Sequence, residues 1–483
     1  MSQLDYRQLY IGGRWQDPAQ SGTIEVQSPA TEEIIGSVPR GSEGDIDAAV
    51  VAARTAFDDP QGWATWHPKE RADVLEKFAA ELEARGAETA ARVSMQNGMP
   101  IWLAQQFEAV FPPLLLRYYS DVMNRAPVEE ERQGMLGGVS LVSRQPVGVV
   151  GAIVPWNVPQ GISFLKIAPA LSAGCTVVLK PAEETVLDAF LMAEAAAAAG
   201  LPPGVLNVVP GGRDIGAYLV AHRDIDKISF TGSTAAGRAI AETCGRLLRP
   251  VTLELGGKSA AIVLDDADIA GSIESFFGAT LLNNGQICWL NTRVLAPRSR
   301  YTEIVDTITG LASALTIGDP LEPETKIGPL VSSRQRDRVE GYIAKGKQEA
   351  RLTTGGARPS GQSRGWFVEP TVFADVDNNA VISREEIFGP VLSVIPYSDE
   401  NEAISIANDS VYGLGGTVWS SDTERATSVA RKVRSGTVGV NHYVNEPVAP
   451  FGGIKDSGMG RELGPEGLDA FQVFKTIYLP PAQ

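Results

Sequence analysis

Apolar strands and helices alternate in the central part of the chain. Between Pro146 and Pro210 they follow one another as VGVVGAIVP, FLKIAPALSAG, TVVLKP, VLDAFLMAEAAAAAG and VLNVVPG. Such an alternation predicts a parallel sheet with helices on its faces. The stretch DKISFTGSTAAGRAIAETC continues it as a strand, a turn with glycines and a helix. This part of the chain is therefore expected to be a nucleotide-binding half.

The flanking segments predict further structure on both sides. Ser42 and Asp45 form a capping box before the apolar-periodic helix DIDAAVVAARTAF, and helices continue to about Met123. After Leu255, strands alternate with helices again, which predicts a second α/β domain of about two hundred residues. The tail predicts a helix, EGLDAFQVF, and a final strand, KTIYLP. That strand lies so near the terminus that pairing outside its own domain is one expectation.

Composition narrows the class of protein. The chain has 483 residues, which predicts two or three domains. Hydrophobic residues make up 43% and charged residues 21%, as in globular proteins. The net charge of -16 argues against nucleic acid and anionic membranes as partners. The N-terminus is charged where a secretory signal is apolar, and no apolar stretch reaches about 18 residues, so a cytoplasmic protein is expected.

Cysteine and histidine usage limits the chemistry. The chain has three cysteines and three histidines, Cys175, Cys244, Cys288, His67, His222 and His442. None of the cysteines lies in a metal-binding spacing and the histidines are far apart, so we expect no metal site and no histidine base. Unpaired cysteines are usually buried fillers. Cys288 differs because it follows NNGQI, a polar loop between a helix and a strand, and a catalytic thiol there would need activation.

Two other polar residues suit such a thiol. Glu254 ends the strand VTLEL before two glycines and is a candidate base, although strand-end carboxylates are common. Asn157 lies between two prolines in VPWNVP, where its amide is available as an oxyanion donor. Turn propensity alone would also explain that asparagine.

The candidate nucleotide motifs are weak singly. The turn FTGSTAAG has Thr234 where the dinucleotide fingerprint has its middle glycine, so phosphate binding and tight packing are equally good interpretations. The segment GGKS is no P-loop, because Thr252 replaces the leading glycine. Lys180 and Glu183 in LKPAEE follow a strand at the ligand-binding edge, but a helix start gives the same pattern. A carboxylate there would favour NAD over NADP.

Together the motifs resemble the aldehyde dehydrogenase superfamily, in its NAD(P)-dependent, hydrolytic form. They occur in the family's order over essentially the whole chain, as PWN (155–157), KPAE (180–183), FTGS (230–233), ELGGKS (254–259), GQIC (285–288), EEIFGP (385–390), PFGG (450–453) and GRELG (460–464). The resemblance implies an α/β fold with a Rossmann-like coenzyme domain (1–122 and 147–253), an α/β catalytic domain (254–456) and a β-arm with the tail (123–146 and 465–483). The arm would join copies of the chain into dimers or dimer pairs.

The resemblance also implies roles for individual residues. Cys288 attacks the aldehyde, the Asn157 amide and the Cys288 N–H hold the oxyanion, and Glu254 activates the water that hydrolyses the thioester. Lys166 and Glu462 match positions that support proton relay. The implied coenzyme is NAD, with NADP disfavoured, and the residues implied to bind it are Pro155, Trp156, Lys180, Glu183, Gly212, Phe230, Gly232, Ser233, Leu255, Glu386 and Phe388.

The resemblance limits the substrate less sharply. Five residues are expected to line a mostly apolar tunnel, namely Val158, Ile162, Leu165, Ile287 and Trp289. Ile287 stands where relatives acting on anionic aldehydes often have arginine, so an aliphatic, terpenoid or aromatic aldehyde is expected. Glu446 keeps a cationic aldehyde open as an alternative. A CoA-acylating enzyme is a rival that Glu254 opposes, and a cofactor-free cysteine hydrolase and a non-catalytic relative are rivals of other classes.

Overall fold

Four sheets organise residues 3–480, the part of the chain that this computed structural model describes. The strands are β1 (Leu4–Asp5), β2 (Leu9–Ile11), β3 (Arg14–Gln16), β4 (Thr23–Gln27), β5 (Ile34–Pro39), β6 (Glu129–Gln133), β7 (Val139–Pro146), β8 (Val149–Ile153), β9 (Thr176–Lys180), β10 (Leu206–Val208), β11 (Lys227–Thr231), β12 (Val251–Glu254), β13 (Ala260–Val263), β14 (Arg293–Pro297), β15 (Arg351–Thr354), β16 (Thr371–Ala374), β17 (Val391–Tyr397), β18 (Gly416–Trp419), β19 (Gly439–Val440), β20 (Gly458–Met459) and β21 (Gln472–Leu479).

Helices connect and cover these strands. They are α1 (Glu43–Asp58), α2 (Pro68–Ala84), α3 (Gly86–Asn97), α4 (Ile101–Ala104), α5 (Phe111–Arg125), α6 (Pro159–Ala173), α7 (Leu187–Ala198), α8 (Arg213–Ala221), α9 (Thr234–Arg246), α10 (Ile273–Thr280), α11 (Tyr301–Ala314), α12 (Ser333–Glu349), α13 (Val381–Arg384), α14 (Glu400–Asn408), α15 (Thr423–Ala430) and α16 (Gly464–Asp469). A π-helix, Gln105–Val110, joins α4 to α5 without a break, and a short 3₁₀ turn, Asn283–Gly285, follows α10.

The first large sheet has the strand order β20-β12-β11-β8-β9-β10-β2-β3. Its five central strands are parallel, and α6, α7 and α9 connect them as in a Rossmann-like fold. Every residue of β8, β9 and β11 is buried, which explains their continuous apolar sequences. The register places Ile153 opposite both Lys180 and Phe230, and Thr231 opposite Glu254. The carboxyl ends of four strands therefore meet at one edge.

The second large sheet has the order β15-β16-β17-β14-β13-β18-β19 and is parallel except for β15. The segment that carries Cys288 enters this sheet as β14, next to β13. One buried cluster reaches from Leu116 and Phe164 to Phe276 and Trp419, so apolar packing is continuous between the two sheets. The predicted α/β fold class is confirmed.

The tail strand β21 pairs along its whole length with β7, and β7 pairs with β6. The predicted helix EGLDAFQVF is wrong at its end, because α16 stops at Asp469 and Gln472–Phe474 belong to the strand. Those residues gain ladder hydrogen bonds to 144–146 that a longer helix would lose. Phe474, Ile477 and Tyr478 are exposed. That the arm joins copies of the chain stays a prediction, as do the exact domain limits.

The helices between residues 3 and 480 do not include one that has both the length and the apolarity to cross a bilayer.

The predicted capping box at α1 is confirmed. The Ser42 side chain accepts from the Asp45 N–H, and the Asp45 carboxylate accepts from the Ser42 N–H at 2.8 Å. We expect Ser42→Ala to lower the free energy of unfolding by about 1 kcal/mol, because a buried helix N–H loses its acceptor. Urea unfolding with an unchanged slope would measure it. Ser42→Thr keeps the hydroxyl and should lose much less, so equal losses would contradict this interpretation.

Candidate active site

A cavity of about 520 Å³ lies at the carboxyl edge of the first sheet. Its lining includes Cys288, Glu254 and Asn157 together with all five residues predicted for the tunnel, Val158, Ile162, Leu165, Ile287 and Trp289. The end of β12, the start of α6 and the segment before β14 supply these side chains. The structure thus brings together three motifs that are separated by as many as 131 residues in sequence, the span from Asn157 to Cys288.

Cys288 is a partly buried thiol on the segment between the 3₁₀ turn and β14. Burial raises its pKa, and the nearby carboxylates Glu386 and Glu254 raise it further. The backbone N–H groups of Cys288 and Trp289 act in the opposite direction. The resting thiol is therefore protonated, and a base has to remove its proton before it can act as a nucleophile.

Asn157 is held rigidly beside the cysteine segment. Its Nδ2 donates to the Gln286 carbonyl at 2.9 Å, two residues before Cys288. The Asn157 backbone carbonyl accepts from the side-chain amides of Asn97, at 3.2 Å, and Asn283, at 3.0 Å. An amide nitrogen carries two hydrogens. The Gln286 carbonyl takes one, so the Asn157 amide retains a second donor for a developing oxyanion in the cavity.

Glu254 is the last residue of β12 and is 2% exposed. Neither of its carboxylate oxygens has a hydrogen-bond partner among the residues described. Burial raises its pKa well above the usual value, Glu462 raises it further, and Lys166 and Arg461 oppose the shift. A side chain on Gly452 would start 2.6 Å from the Glu254 Oε1, so only glycine leaves room there. A buried carboxyl with a raised pKa suits general-base chemistry near neutral pH.

Lys166 and Glu462 form a buried ion pair behind Glu254. The Lys166 Nζ donates to the Glu462 Oε1 at 2.5 Å and to the Thr231 Oγ1 at 2.7 Å. Both charged side chains are at most 2% exposed. Glu254, Glu462 and Thr231 also line the cavity. Lys166 thus forms an ion pair with Glu462 and also lowers the pKa of the neighbouring Glu254, an arrangement that can store or pass on a proton.

A second cleft, of about 420 Å³, lies along β4 and includes Arg40, which follows β5, and Glu183, which follows β9. The Lys180 Nζ donates to the Pro181 and Gly211 carbonyls at 2.9 and 2.6 Å. Burial lowers the pKa of Lys180 to about 8, and Glu183 opposes this shift. Gly212 precedes α8, and a side chain there would approach the Glu183 Oε2 to 3.3 Å. The structure therefore groups three of the predicted coenzyme residues.

Arg40 is an unpredicted neighbour of this group. Its Nε donates to Glu183 at 3.3 Å and its Nη2 to Asp214 at 2.9 Å. The cleft also contains Ser332 and Trp366 from the second half of the chain. Its carboxylates and hydrogen-bond acceptors fit the hydroxyl groups of a ribose.

The glycine turn and its neighbours lie farther along the same edge. Ser233 is the N-cap of α9 and accepts from the Ala236 N–H at 3.3 Å. A side chain on Gly232 would start 2.5 Å from the Phe230 ring, and one on Gly237 would start 2.5 Å from Leu255. The glycines therefore permit close packing around the N-terminus of α9, a geometry that suits a phosphate.

Glu386 and Phe388 approach this edge from the second sheet. The Glu386 Oε1 accepts from the Gly257 N–H at 2.9 Å, and burial raises its pKa. Phe388 has a positive φ of 63° and meets Trp156 edge to face, with ring centroids 5.3 Å apart. Trp156 follows the partly buried Pro155. Glu386 and Phe388 therefore lie beside the segment that follows Glu254 and beside Trp156, and binding of the coenzyme by these residues stays a prediction.

The cavity wall is aromatic and carries negative charge. Trp289 stacks on Tyr443 with centroids 4.5 Å apart. Its charged lining consists of carboxylates, Glu254, Glu446 and Glu462, with no lysine or arginine contributed from residues 3–480. In the same range no group of histidine, cysteine and carboxylate side chains could hold a metal ion.

Sequence reasoning missed the opposite wall of the cavity. Side chains from α4, the π-helix and the start of α5 form it, including Trp102, Leu103, Gln106, Phe107, Phe111 and Leu114. Their aromatic content was the available signal, but a π turn cannot be read from helical periodicity. Tyr443 was also missed, and its hydroxyl lies 2.5 Å from the Thr437 Oγ1.

Comparisons with known proteins agree on one family. The sequence model of the aldehyde dehydrogenase family matches residues 15–477. Geranial dehydrogenase of Castellaniella defragrans is 55% identical over 99% of both chains.

Solved structures agree as well. Mycobacterium tuberculosis aldehyde dehydrogenase complexed with NAD+ is 49% identical, with a TM-score of 0.97 and full coverage of both chains. A variant of Pseudomonas syringae aldehyde dehydrogenase C, complexed with NAD+ and octanal, is 40% identical, with a TM-score of 0.93 over 98% of this chain and 96% of its own.

Gly285 gives a test of the cysteine segment. Its φ is +75°, and a side chain there would start 2.1 Å from the Gly389 carbonyl carbon. We expect Gly285→Ala to cost about 1–3 kcal/mol of stability, through strain in the backbone. It should also lower kcat, because the segment that positions Cys288 must move. Thermal unfolding and steady-state kinetics would measure both.

The matched control is Gly310→Ala within α11, where an added methyl meets nothing within 4 Å. It should preserve activity and slightly raise stability. A fully active Gly285→Ala variant would refute the tight placement of this segment.

Proposed function

Since the chain belongs to the aldehyde dehydrogenase family, we propose that it oxidises an apolar aldehyde, of the terpenoid or aliphatic type, to the carboxylic acid with NAD. The observation that carries this proposal is the juxtaposition of Cys288, Asn157 and Glu254 in one apolar cavity. Cys288 is the nucleophile, Asn157 the oxyanion donor and Glu254 the base.

The first chemical step is attack by the Cys288 sulfur on the aldehyde carbon. Glu254, the nearby carboxylate with a raised pKa, takes the thiol proton. As the S–C bond forms, the carbonyl electron pair moves to oxygen, and the Asn157 Nδ2–H and the Cys288 N–H stabilise the resulting anion. NAD, when bound, accepts the hydride from that carbon.

The second step releases the product. Glu254 first gives the thiol proton up to solvent, which restores its carboxylate. It then takes a proton from water, the hydroxide attacks the thioester carbon, and the C–S bond breaks to give the carboxylic acid and the Cys288 thiolate. The buried Lys166 and Glu462 pair adjusts the charge around Glu254 as it gains and loses its proton. Water is favoured over CoA as the acyl acceptor because Glu254 is available as a base.

Glu183 and its surroundings support NAD rather than NADP. The adenosine 2′-phosphate of NADP would meet the carboxylate of Glu183, with Asp214 close by, and both carboxylates form ion pairs with Arg40. A carboxylate at the ribose repels a 2′-phosphate, whereas it accepts hydrogen bonds from ribose hydroxyls. The complexes of two relatives with NAD+ add support.

The cavity wall supports a neutral, apolar substrate. Its aromatic and aliphatic side chains bury hydrocarbon, and geranial dehydrogenase is among the most similar relatives. A cationic aldehyde is the second candidate, because the Glu446 carboxylate lines the cavity and no lysine or arginine from the described part of the chain lines it. Assembly of copies through the arm and a cytoplasmic location stay predictions.

Substitution of the nucleophile and the base tests the mechanism. We expect Cys288→Ser to lower NADH production from octanal by at least about a thousandfold, since an unactivated hydroxyl is a poor nucleophile. Glu254→Gln should slow the hydrolysis of the thioester. Because burial raises the pKa of Glu254, wild-type turnover should fall as the pH drops through that raised value, and Glu254→Gln should lack this limb. Stopped-flow NADH fluorescence across a pH series would measure these effects.

Cys244→Ala is the matched control, because Cys244 is a buried packing residue of α9. It should keep wild-type kinetics. Full activity in Cys288→Ser would refute the proposed function.

A panel of aldehydes tests the substrate. We expect kcat/KM for geranial or octanal to exceed that for an anionic semialdehyde by about a hundredfold, because the Glu446 carboxylate in the cavity wall repels a like charge. Glu446→Gln should reduce this discrimination while leaving the neutral substrates within about twofold. Steady-state kinetics with NAD and with NADP would measure both preferences. A preference for the anionic aldehyde would refute the apolar cavity, and a preference for a trimethylammonium aldehyde would favour the second candidate.

A further inference from the structure

The N-terminus of α6 is capped by a distant carboxylate. Val158, the N-cap residue, provides no side-chain hydrogen bond. Instead the Glu108 Oε2 accepts from the Gln160 N–H at 2.7 Å and from the Gly161 N–H at 3.0 Å. Glu108 is 1% exposed and belongs to the π-helix. An acceptor oxygen at a helix N-terminus satisfies amides that have no partner within the helix and thereby stabilises that end.

This contact joins the two walls of the cavity. The start of α6 carries Ile162 and Leu165, and Asn157 lies three residues before Gln160. The π-helix carries Gln106 and Phe107 on the opposite wall. Glu108 is therefore the point at which one wall is hydrogen-bonded to the other.

The two backbones are also in close approach. A side chain on Gly161 would start 2.8 Å from the Phe107 carbonyl oxygen. Each residue turns a helix by about 100°. If an ordinary α-helical turn replaced the π turn, either Glu108 or Phe107 would therefore rotate away from its present position. The π-helix lets one short segment present a carboxylate to α6 and an aromatic ring to the cavity.

A second set of buried hydrogen bonds supports the start of α6. The Gln160 Nε2 donates to the Asp188 carbonyl at 2.9 Å, and the Gln96 Nε2 donates to the Asp188 Oδ1 at 2.5 Å. Asn97, next to Gln96, donates to the Asn157 carbonyl. The position of Asn157 is thus fixed by buried polar contacts to its own backbone carbonyl and to Gln160 at the start of α6.

We propose that Glu108 is a positioning residue, which fixes the start of α6 and thereby holds the Asn157 amide in line with Cys288. The inference rests on the proposed function, in which that amide stabilises the oxyanion. Loss of Glu108 leaves two buried N–H groups without an acceptor and lets the first turn of α6 move. A small displacement of an oxyanion donor costs turnover more than it costs substrate binding.

Three substitutions test the role of Glu108. We expect Glu108→Ala to lower kcat for octanal about tenfold to a hundredfold, with KM changed less than about threefold. Glu108→Gln should keep kcat within about threefold of the wild type, because its amide oxygen can accept from the same two N–H groups. Glu108→Asp, shorter by one methylene, should fall between them and serves if the alanine variant does not fold.

A second readout separates positioning from folding. Hydrolysis of an activated ester such as 4-nitrophenyl acetate needs a thiol and an oxyanion donor but no coenzyme, so we expect it to fall in parallel with kcat. Ser163→Ala is the matched control, because it removes only a hydrogen bond within the same helix turn, from the Ser163 Oγ to the Pro159 carbonyl. It should keep both activities.

A folded Glu108→Ala or Glu108→Asp variant with wild-type kcat and ester hydrolysis would overturn the proposal. Loss of activity in Glu108→Gln as large as in Glu108→Ala would overturn it too, since the acceptor would then be insufficient. Either result leaves Cys288 untouched. Failure of the proposed function would appear separately, as activity retained in Cys288→Ser.

Discussion

The alignment of parallel strands at one sheet edge is the constraint on which the active site depends. Backbone hydrogen bonds place Thr231 opposite Glu254 and Phe230 opposite Ile153. A shift by one residue would turn each of these side chains to the other face. Because all residues of β8, β9 and β11 are buried, such a shift would also move side chains into core positions that they do not fit. The positions of the base and of the coenzyme-binding edge therefore follow from the packing of the sheet.

Burial also determines the electrostatics of this edge. Glu254 and Glu462 are enclosed with Lys166, so the group has one negative charge more than it can balance when every member is ionised. Burial and the neighbouring Glu462 therefore raise the pKa of Glu254, against the opposing effect of Lys166 and Arg461. The same carboxyl group can then accept and return protons in successive steps.

The sequence predicted much of this arrangement, for physical reasons that differ between residues. The continuous apolar segments around β8, β9 and β11 predicted a buried parallel sheet, and the polar setting of Cys288 distinguished it from Cys175 and Cys244. Glu108 and Tyr443 could not be predicted, because their partners lie far along the chain and a π turn leaves no periodic signal. The Gln472–Phe474 segment was assigned to a helix since its strand partner, β7, comes more than three hundred residues earlier. The local sequence pattern indicates which helices and strands can form. Pairing between distant segments determines which of these possible elements is present in the folded chain.

The last part of the chain ties the reaction chemistry to the molecular periphery. Within residues 458–479, β20 pairs with the end of β12, Glu462 binds Lys166, and β21 completes the three-stranded sheet. These contacts follow one another with few residues between them, so the backbone of residues 458–479 is constrained along most of its length. Truncation before Gly458 would remove an edge strand of the first sheet, a buried counter-ion and one of the three strands of the arm in one event. A reporter or affinity tag is consequently expected to be less disruptive after Leu479 than within residues 458–479.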